Sequence, residues 1–266
     1  MLKPPPAPSP IDRISVEVTH ACAKACWFCY NGSHPDGAEG WTPDELVDFA
    51  ADCALEGVKA LSLGGGEPLQ YEGIFEVLER LKGVMFRSMT TNGLLLKGTR
   101  FERLIAAAPD KVHVSVHFPE RTAEVKRAVR LVGELQDAGI RAGVNLLVQR
   151  SKLAAAAQAA TTLRDCGIDP HQVVFLPMHS HDDTPSPQEL AQVAGSKRFQ
   201  SMTCLMGCAI SPRFASITWD KRAAWCSYTQ AKRPMTALTH RGLLEALDGL
   251  GLTYCGASGQ SNLARR

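Results

Sequence analysis

Short β-rich runs alternate with helical periods along most of this chain, the pattern of a parallel α/β sheet. Strands are predicted at residues 13–18, 59–63, 85–90, 111–116, 141–148 and 172–176. Helices are predicted at about 43–56, 71–81, 97–106, 119–138 and 152–166. Local signals mark their ends. Thr42 before Pro43, with Glu45 in the opening turn, reads as an N-cap followed by proline at the first helical position. Gly139 and Gly167 close two helices just ahead of strands. Residues 179–187 form a polar, proline-containing linker, and beyond it come a hairpin across Trp219–Arg222 and an amphipathic helix at about 241–250. The organisation expected is a Pro-rich tail over 1–10, an α/β unit over 11–178, and a linker with a small appendage over 179–266.

Nine cysteines then change the picture. Cys22, Cys26 and Cys29 are spaced C-x3-C-x2-C in the loop after the first strand. Three thiolates this close can hold three irons of a four-iron, four-sulfur cluster and leave the fourth iron open to a small molecule. A structural zinc site is the alternative, although such sites usually add a second close pair. Cys53 falls inside a helical pattern and does not look like that partner. It and Cys166 read as buried small hydrophobes. Cys204, Cys208, Cys226 and Cys255 form a second set late in the chain.

The first motif, with Phe28 before its third cysteine, resembles that of the radical S-adenosylmethionine (radical SAM) superfamily. Gly64-Gly65-Gly66-Glu67-Pro68 after the second strand resembles the superfamily's GGE(P) motif, and Thr91-Asn92-Gly93 after the third resembles its TNG. The resemblance implies an open partial (β/α)6 TIM-type barrel with the site at the C-terminal strand ends, where closure would take eight units. It implies a [4Fe-4S] cluster on Cys22, Cys26 and Cys29, with S-adenosyl-L-methionine (SAM) on its open iron. SAM contacts are then expected from Phe28, Gly65, Gly66, Glu67, Asn92, Ser115, Asn145 and Leu176. The Glu67 carboxylate is expected to meet the methionine ammonium. His117 and Arg150 are the candidates for proton transfer. His179, His181, Asp182, Arg213 and Tyr228 are the further candidates for substrate recognition at the barrel mouth.

The late cysteines resemble the SPASM/twitch extensions of the superfamily. By that resemblance Cys204, Cys208, Cys226 and Cys255 ligate one auxiliary [4Fe-4S] cluster, although four thiolates also satisfy tetrahedral zinc. The family's extension carries a glycine five residues before its cysteine, where this chain has Lys221. An auxiliary cluster can accept an electron from a substrate radical, which implies a net oxidation of a small molecule or a peptide. A redox-neutral epimerase, mutase or lyase is the alternative, and a zinc-stabilised binding module the non-enzymatic one. The short tail leaves no room for a leader-recognition domain and so leans towards a small-molecule substrate. A reductant such as flavodoxin or ferredoxin is implied as a partner.

Composition narrows this only modestly. The net charge of +2, without a dense basic stripe, does not indicate a nucleic-acid substrate. No apolar stretch is long enough for a bilayer, and the N-terminus lacks a signal-peptide core. Cysteines at this density favour a reducing compartment, hence a cytoplasmic location.

Overall fold

A computed structural model describes residues 9–179, 182–195, 205 and 210–252. The elements run β1 (Arg13–Thr19), α1 (Pro43–Leu55), β2 (Ala60–Gly65), α2 (Ile74–Arg80), β3 (Phe86–Thr91), α3 (Thr99–Ala107), β4 (Lys111–Val116), α4 (Thr122–Asp137), β5 (Arg141–Val148), α5 (Leu153–Asp165) and β6 (Val173–Pro177). Then follow α6 (Pro187–Val193), β7 (Phe214–Ile217), β8 (Arg222–Ala224), β9 (Arg233–Pro234) and α7 (His240–Leu247). All six predicted βα strands form within a residue or two of their expected bounds. The mixed α/β fold with its parallel sheet is the expected class.

The strands form one sheet in the order β6-β5-β4-β3-β2-β1-β7-β8-β9. Strands β1 to β6 are parallel neighbours in chain order, and β7 adds a seventh parallel strand beside β1. The expected hairpin forms between β7 and β8. It continues the barrel sheet rather than standing apart from it. The parallel pairing of β7 with β1 was not anticipated, nor was α6. Yet Ser186, Pro187 and Glu189 spell a capping box with proline at the first helical position, and all of its bonds form.

Side-chain alternation explains why the sheet presents a usable face. Ile14, Val16, Val18, Leu61, Leu63, Val112, Val114 and Val116 are buried on the face covered by helices. Each fully buried side chain of this size contributes about 1.5–3 kcal/mol. The positions between them are Ser15, Glu17, Ser62, Ser88, His113 and Ser115, so the opposite face is polar; Ser62 Oγ lies 2.9 Å from Ser88 Oγ across it. A closed barrel packs apolar layers inside. This inner face is instead built as a cleft.

Buried Arg87 secures the helical layer. Its guanidinium bonds the carbonyl oxygens of Leu78, Ala107 and Ala108, and pairs with Asp110 at 3.1 Å. One side chain thereby satisfies carbonyls left over where α2 and α3 end. Cys53 is fully buried, as expected. Cys166 is not: it is exposed, because it caps the end of α5 ahead of left-handed Gly167 (φ 86°).

Candidate active site at the strand ends

The loop after β1 is built on backbone bonds. Cys22 N–H donates to His34 O at 2.9 Å, Ala25 N–H to Cys22 O at 3.2 Å and Cys29 N–H to Cys26 O at 3.0 Å. Two tight turns result, with Ala25 in the left-handed region (φ 44°). The three thiols are half-buried. Burial pushes the Cys22 thiol up and the Cys26 thiol to about 11, and the neighbouring thiols add to both shifts.

The glycine motif lies back to back with this loop. Gly66 N–H donates to Thr19 O and Glu67 N–H to Ala21 O, both at 2.8 Å. A Cβ on Gly66 would stand 2.1 Å from Ala21 O, and one on Gly65 (φ 102°) would stand 2.7 Å from Thr19 O. Both glycines are there because the two segments touch. Gly64 has nothing within 4 Å of where its Cβ would be, so that glycine faces open space.

Glu67 carries a structural role that its motif does not show. It is 1% exposed, and its carboxylate accepts the Thr91 hydroxyl at 2.6 Å, Asn92 N–H at 2.8 Å and Leu69 N–H at 3.2 Å. These three bonds make the carboxylate a brace between the ends of β2 and β3, with Oε2 accepting only the Asn92 N–H. Burial still raises its pKa, with those bonds acting the other way. The brace fixes Asn92, whose Nδ2 comes within 3.9 Å of Cys22 Sγ.

Sequence reasoning missed Lys24 and Glu124. Lys24 Nζ lies 2.5 Å from Glu124 Oε1 and 3.0 Å from His117 Nδ1, with the ion pair almost wholly buried. Glu124 Oε1 also accepts His117 N–H at 2.6 Å. This network fastens the cysteine loop to the end of β4. A lysine between cysteines and a glutamate in a helix's first turn are individually ordinary, so neither carried a signal. His117 is held neutral, its pKa lowered to about 4 by burial and then by the Lys24 charge. Phe28 packs beside it, with ring centroids 6.2 Å apart.

Ser115 and Asn145 are paired across β4 and β5 on the inner face, and Leu176 follows on β6 opposite Leu147. Arg150 is exposed and turned outward: it bonds Asp182 O at 3.3 Å and pairs with Glu189 at 3.5 Å, tying the linker to β5. A guanidinium so engaged is not placed to take a proton at the cleft. Arg213 lies at the opposite end of the barrel, paired with Asp12 ahead of β1, because β7 runs parallel to β1 and starts at that end. Tyr228 does lie at the mouth, its ring 4.9 Å from that of Tyr30 and 4.5 Å from that of His179. Asp182 is exposed at the start of the linker turn. Of the second cysteine set, half-buried Cys226 is seen beside Tyr228, which donates its N–H to the sulfur at 3.4 Å. Cys204, Cys208, Cys255 and His181 lie outside the described residues.

Lys221, in the turn between β7 and β8, adopts φ 62°, the left-handed conformation that glycine favours.

The sequence profile of the radical SAM superfamily matches residues 16–191. The chain belongs to the radical SAM superfamily. Membership implies a [4Fe-4S] cluster and SAM. The donors fit that pair: three half-exposed thiols share one loop at the C-terminal strand ends and can each ligate a separate iron. A probable GTP 3′,8-cyclase of Methanocella arvoryzae is 33% identical over 111 residues, 42% of this chain and 36% of that protein. Its counterpart from Pyrococcus horikoshii is 31% identical over 113 residues, with the same coverage of 42% and 36%. The chain thus matches only about a third of the length of these curated relatives. Streptococcus suis SuiB bound to S-adenosylmethionine superposes with a TM-score of 0.65 at 14% identity, over 84% of this chain and 63% of SuiB. The anSMEcpe enzyme with bound AdoMet and Cp18Cys peptide gives 0.63 at 12% identity, over 88% and 80%. These solved structures share the fold. No described helix is long and apolar enough to cross a membrane.

Proposed function

We propose that Cys22, Cys26 and Cys29 hold the SAM-binding [4Fe-4S] cluster of a hydrogen-abstracting radical SAM enzyme that oxidises its substrate. The observation that carries this is the packing of the Gly64–Glu67 segment and Asn92 against the cysteine loop at the C-terminal strand ends. When bound, the reduced cluster supplies the electron that cleaves SAM to methionine and a 5′-deoxyadenosyl radical. The chain's own residues do the rest. The half-exposed thiols offer three ligands. Gly64 leaves backbone open for the methionine end of SAM, and Asn92 bears on the sulfur side of the loop. Ser115, Asn145 and Leu176 line the inner face along which the adenosine would lie. Neutral His117, bonded to Lys24 of that loop, is the candidate proton acceptor.

The extension over 179–266 is read as an auxiliary-cluster region using Cys204, Cys208, Cys226 and Cys255. Two observations support it: Cys226 follows the hairpin two residues ahead of Tyr228, whose ring meets Tyr30 and His179, and Lys221 keeps the glycine-type turn. The substrate is a small molecule or a peptide, and a flavodoxin or ferredoxin supplies the electron. A redox-neutral outcome is the second reading, favoured by the relatives named GTP 3′,8-cyclase.

Anaerobic reconstitution tests both levels. About eight irons per chain are expected if there are two four-iron clusters, and about four if there is one. Replacing Cys22, Cys26 and Cys29 together should remove about four irons and all dithionite-dependent 5′-deoxyadenosine. Zinc in place of iron, with no SAM cleavage, would overturn the radical reading. Cys226→Ala should spare SAM cleavage yet stop net oxidation; unchanged iron in that variant would remove the second cluster.

A further inference from the structure

The side chain of Asn92 points its donor end at a cysteine sulfur, and its orientation is fixed. Asn92 is only 6% exposed. Its backbone N–H donates to Glu67 Oε2 at 2.8 Å, and its side-chain Oδ1 accepts Leu94 N–H at 2.9 Å. Gly93 N–H donates to Thr91 Oγ1 at 3.0 Å, so the turn after β3 is held at three points. Because an N–H occupies Oδ1, the end of the amide that faces Cys22 Sγ, 3.9 Å away, is the Nδ2 donor. Burial raises the Cys22 thiol, and the backbone N–H groups of Lys24 and Ala25 act on the same sulfur in the opposite direction.

The third cysteine of the motif has the reverse surroundings. Cys29 Sγ stands 3.0 Å from Asn31 Oδ1, an acceptor that also takes the Ser33 N–H at 3.2 Å and the Ser33 hydroxyl at 2.7 Å. A thiol can donate to that oxygen and a thiolate cannot. Donors therefore meet the sulfur of Cys22, whereas an acceptor meets that of Cys29. A hydrogen bond to a thiolate is charge-assisted and strengthens as negative charge on the sulfur grows. Adding one electron to a cluster increases that charge. A donor at a ligating sulfur thus favours the reduced form and raises the reduction potential. Burial of the amide strengthens the effect, since little water competes for the sulfur.

We propose that Asn92, acting through the Cys22 thiolate, is a positioning residue that raises the reduction potential of the cluster on Cys22, Cys26 and Cys29. In this role its amide moves no proton and touches no reacting atom. It eases the transfer of one electron from a flavodoxin- or ferredoxin-type donor, the step that precedes SAM cleavage. The inference rests on the cluster assignment proposed above.

A redox titration of the full-length, reconstituted protein, followed by electron paramagnetic resonance in the absence of SAM, tests it. The signal followed is the one lost when Cys22, Cys26 and Cys29 are replaced together. Omitting SAM separates this role from any contact between Asn92 and SAM. At the wild-type midpoint, Asn92→Ala is expected to lower the ratio of reduced to oxidised cluster about fivefold with wild-type iron content. Asn92→Asp turns an oxygen towards the sulfur and should lower the ratio further. An unchanged or raised midpoint in a variant that holds iron would overturn the inference alone. Loss of iron from both variants would do the same, since Asn92 would then be a structural prop. Failure of the wild-type chain to form a reducible four-iron cluster would overturn the cluster assignment as well.

Discussion

Lys24 Nζ stands 2.5 Å from Glu124 Oε1, with only 8% and 6% of the two side chains exposed, and this pair joins the cysteine loop to the first turn of α4. Removing one partner of a buried pair leaves the other charge uncompensated and costs about 3–5 kcal/mol. Lys24→Met is therefore expected to lower unfolding stability by that order and to reduce iron bound per chain. Lys24→Met with Glu124→Leu should recover most of the stability, because no lone charge remains. Urea unfolding and iron analysis check both, and a single variant as stable as wild type would show that the pair does not hold the loop.

Gly66 and Gly64 form a matched contrast. A methyl on Gly66 meets Ala21 O at 2.1 Å, whereas one on Gly64 meets nothing within 4 Å. Gly66→Ala should displace the cysteine loop, cutting iron content at least twofold and SAM cleavage at least tenfold. Gly64→Ala should retain wild-type iron. Iron assay with 5′-deoxyadenosine quantitation separates them, and equal iron in the two variants would refute the close-approach account.

His113 is mostly buried, and burial, then the Lys111 charge, lowers its pKa to about 4. The unfolded chain takes up this proton near pH 6.5 and the folded chain does not. Between about 6.5 and 4 the unfolded state therefore binds more protons, and stability is lost as pH falls through that window. His117 and His179, also lowered to about 4, act in the same direction. Urea midpoints from pH 7.5 to 5 should decline, and His113→Asn should flatten the slope. An unchanged slope in that variant would assign the dependence elsewhere.

Lys221 holds φ 62° while pairing with Glu45 at 2.8 Å, the two side chains 26% and 38% exposed. Left-handed backbone costs a residue with a Cβ about 1–2 kcal/mol, and a surface ion pair returns about 0–1. Lys221→Gly should thus match or exceed wild-type stability, while Lys221→Ala should fall below it. Denaturant midpoints for the two variants decide the order, and alanine above glycine would mean that the turn carries no strain.

The βα alternation was legible because strand and helix periods are local, and capping signals such as Thr42-Pro43 lie within one turn. The cysteine and glycine motifs were legible for the same reason, since their spacing is a property of a short loop. What was not legible was long-range. Nothing local to the glycine motif says that β3 brings Thr91 and Asn92 onto the Glu67 carboxylate. Arg150 and Arg213 are charged residues near loops, and sequence gives no account of which end of the barrel a loop faces. Cys166 sat in an apolar period, but a helix's last residue can turn to solvent without changing the period.

The sequence by itself determined the family, the order of β and α units and the two cysteine sets, because each is written in spacing over a few residues. Only the tertiary structure decided that β7 joins the barrel beside β1, that Lys24 is clamped by a glutamate a hundred positions away, and that Thr91 and Asn92 brace the Glu67 carboxylate. The physical reason is common to all three. Parallel strands bring distant segments together, and burial then decides which polar atoms must find a partner.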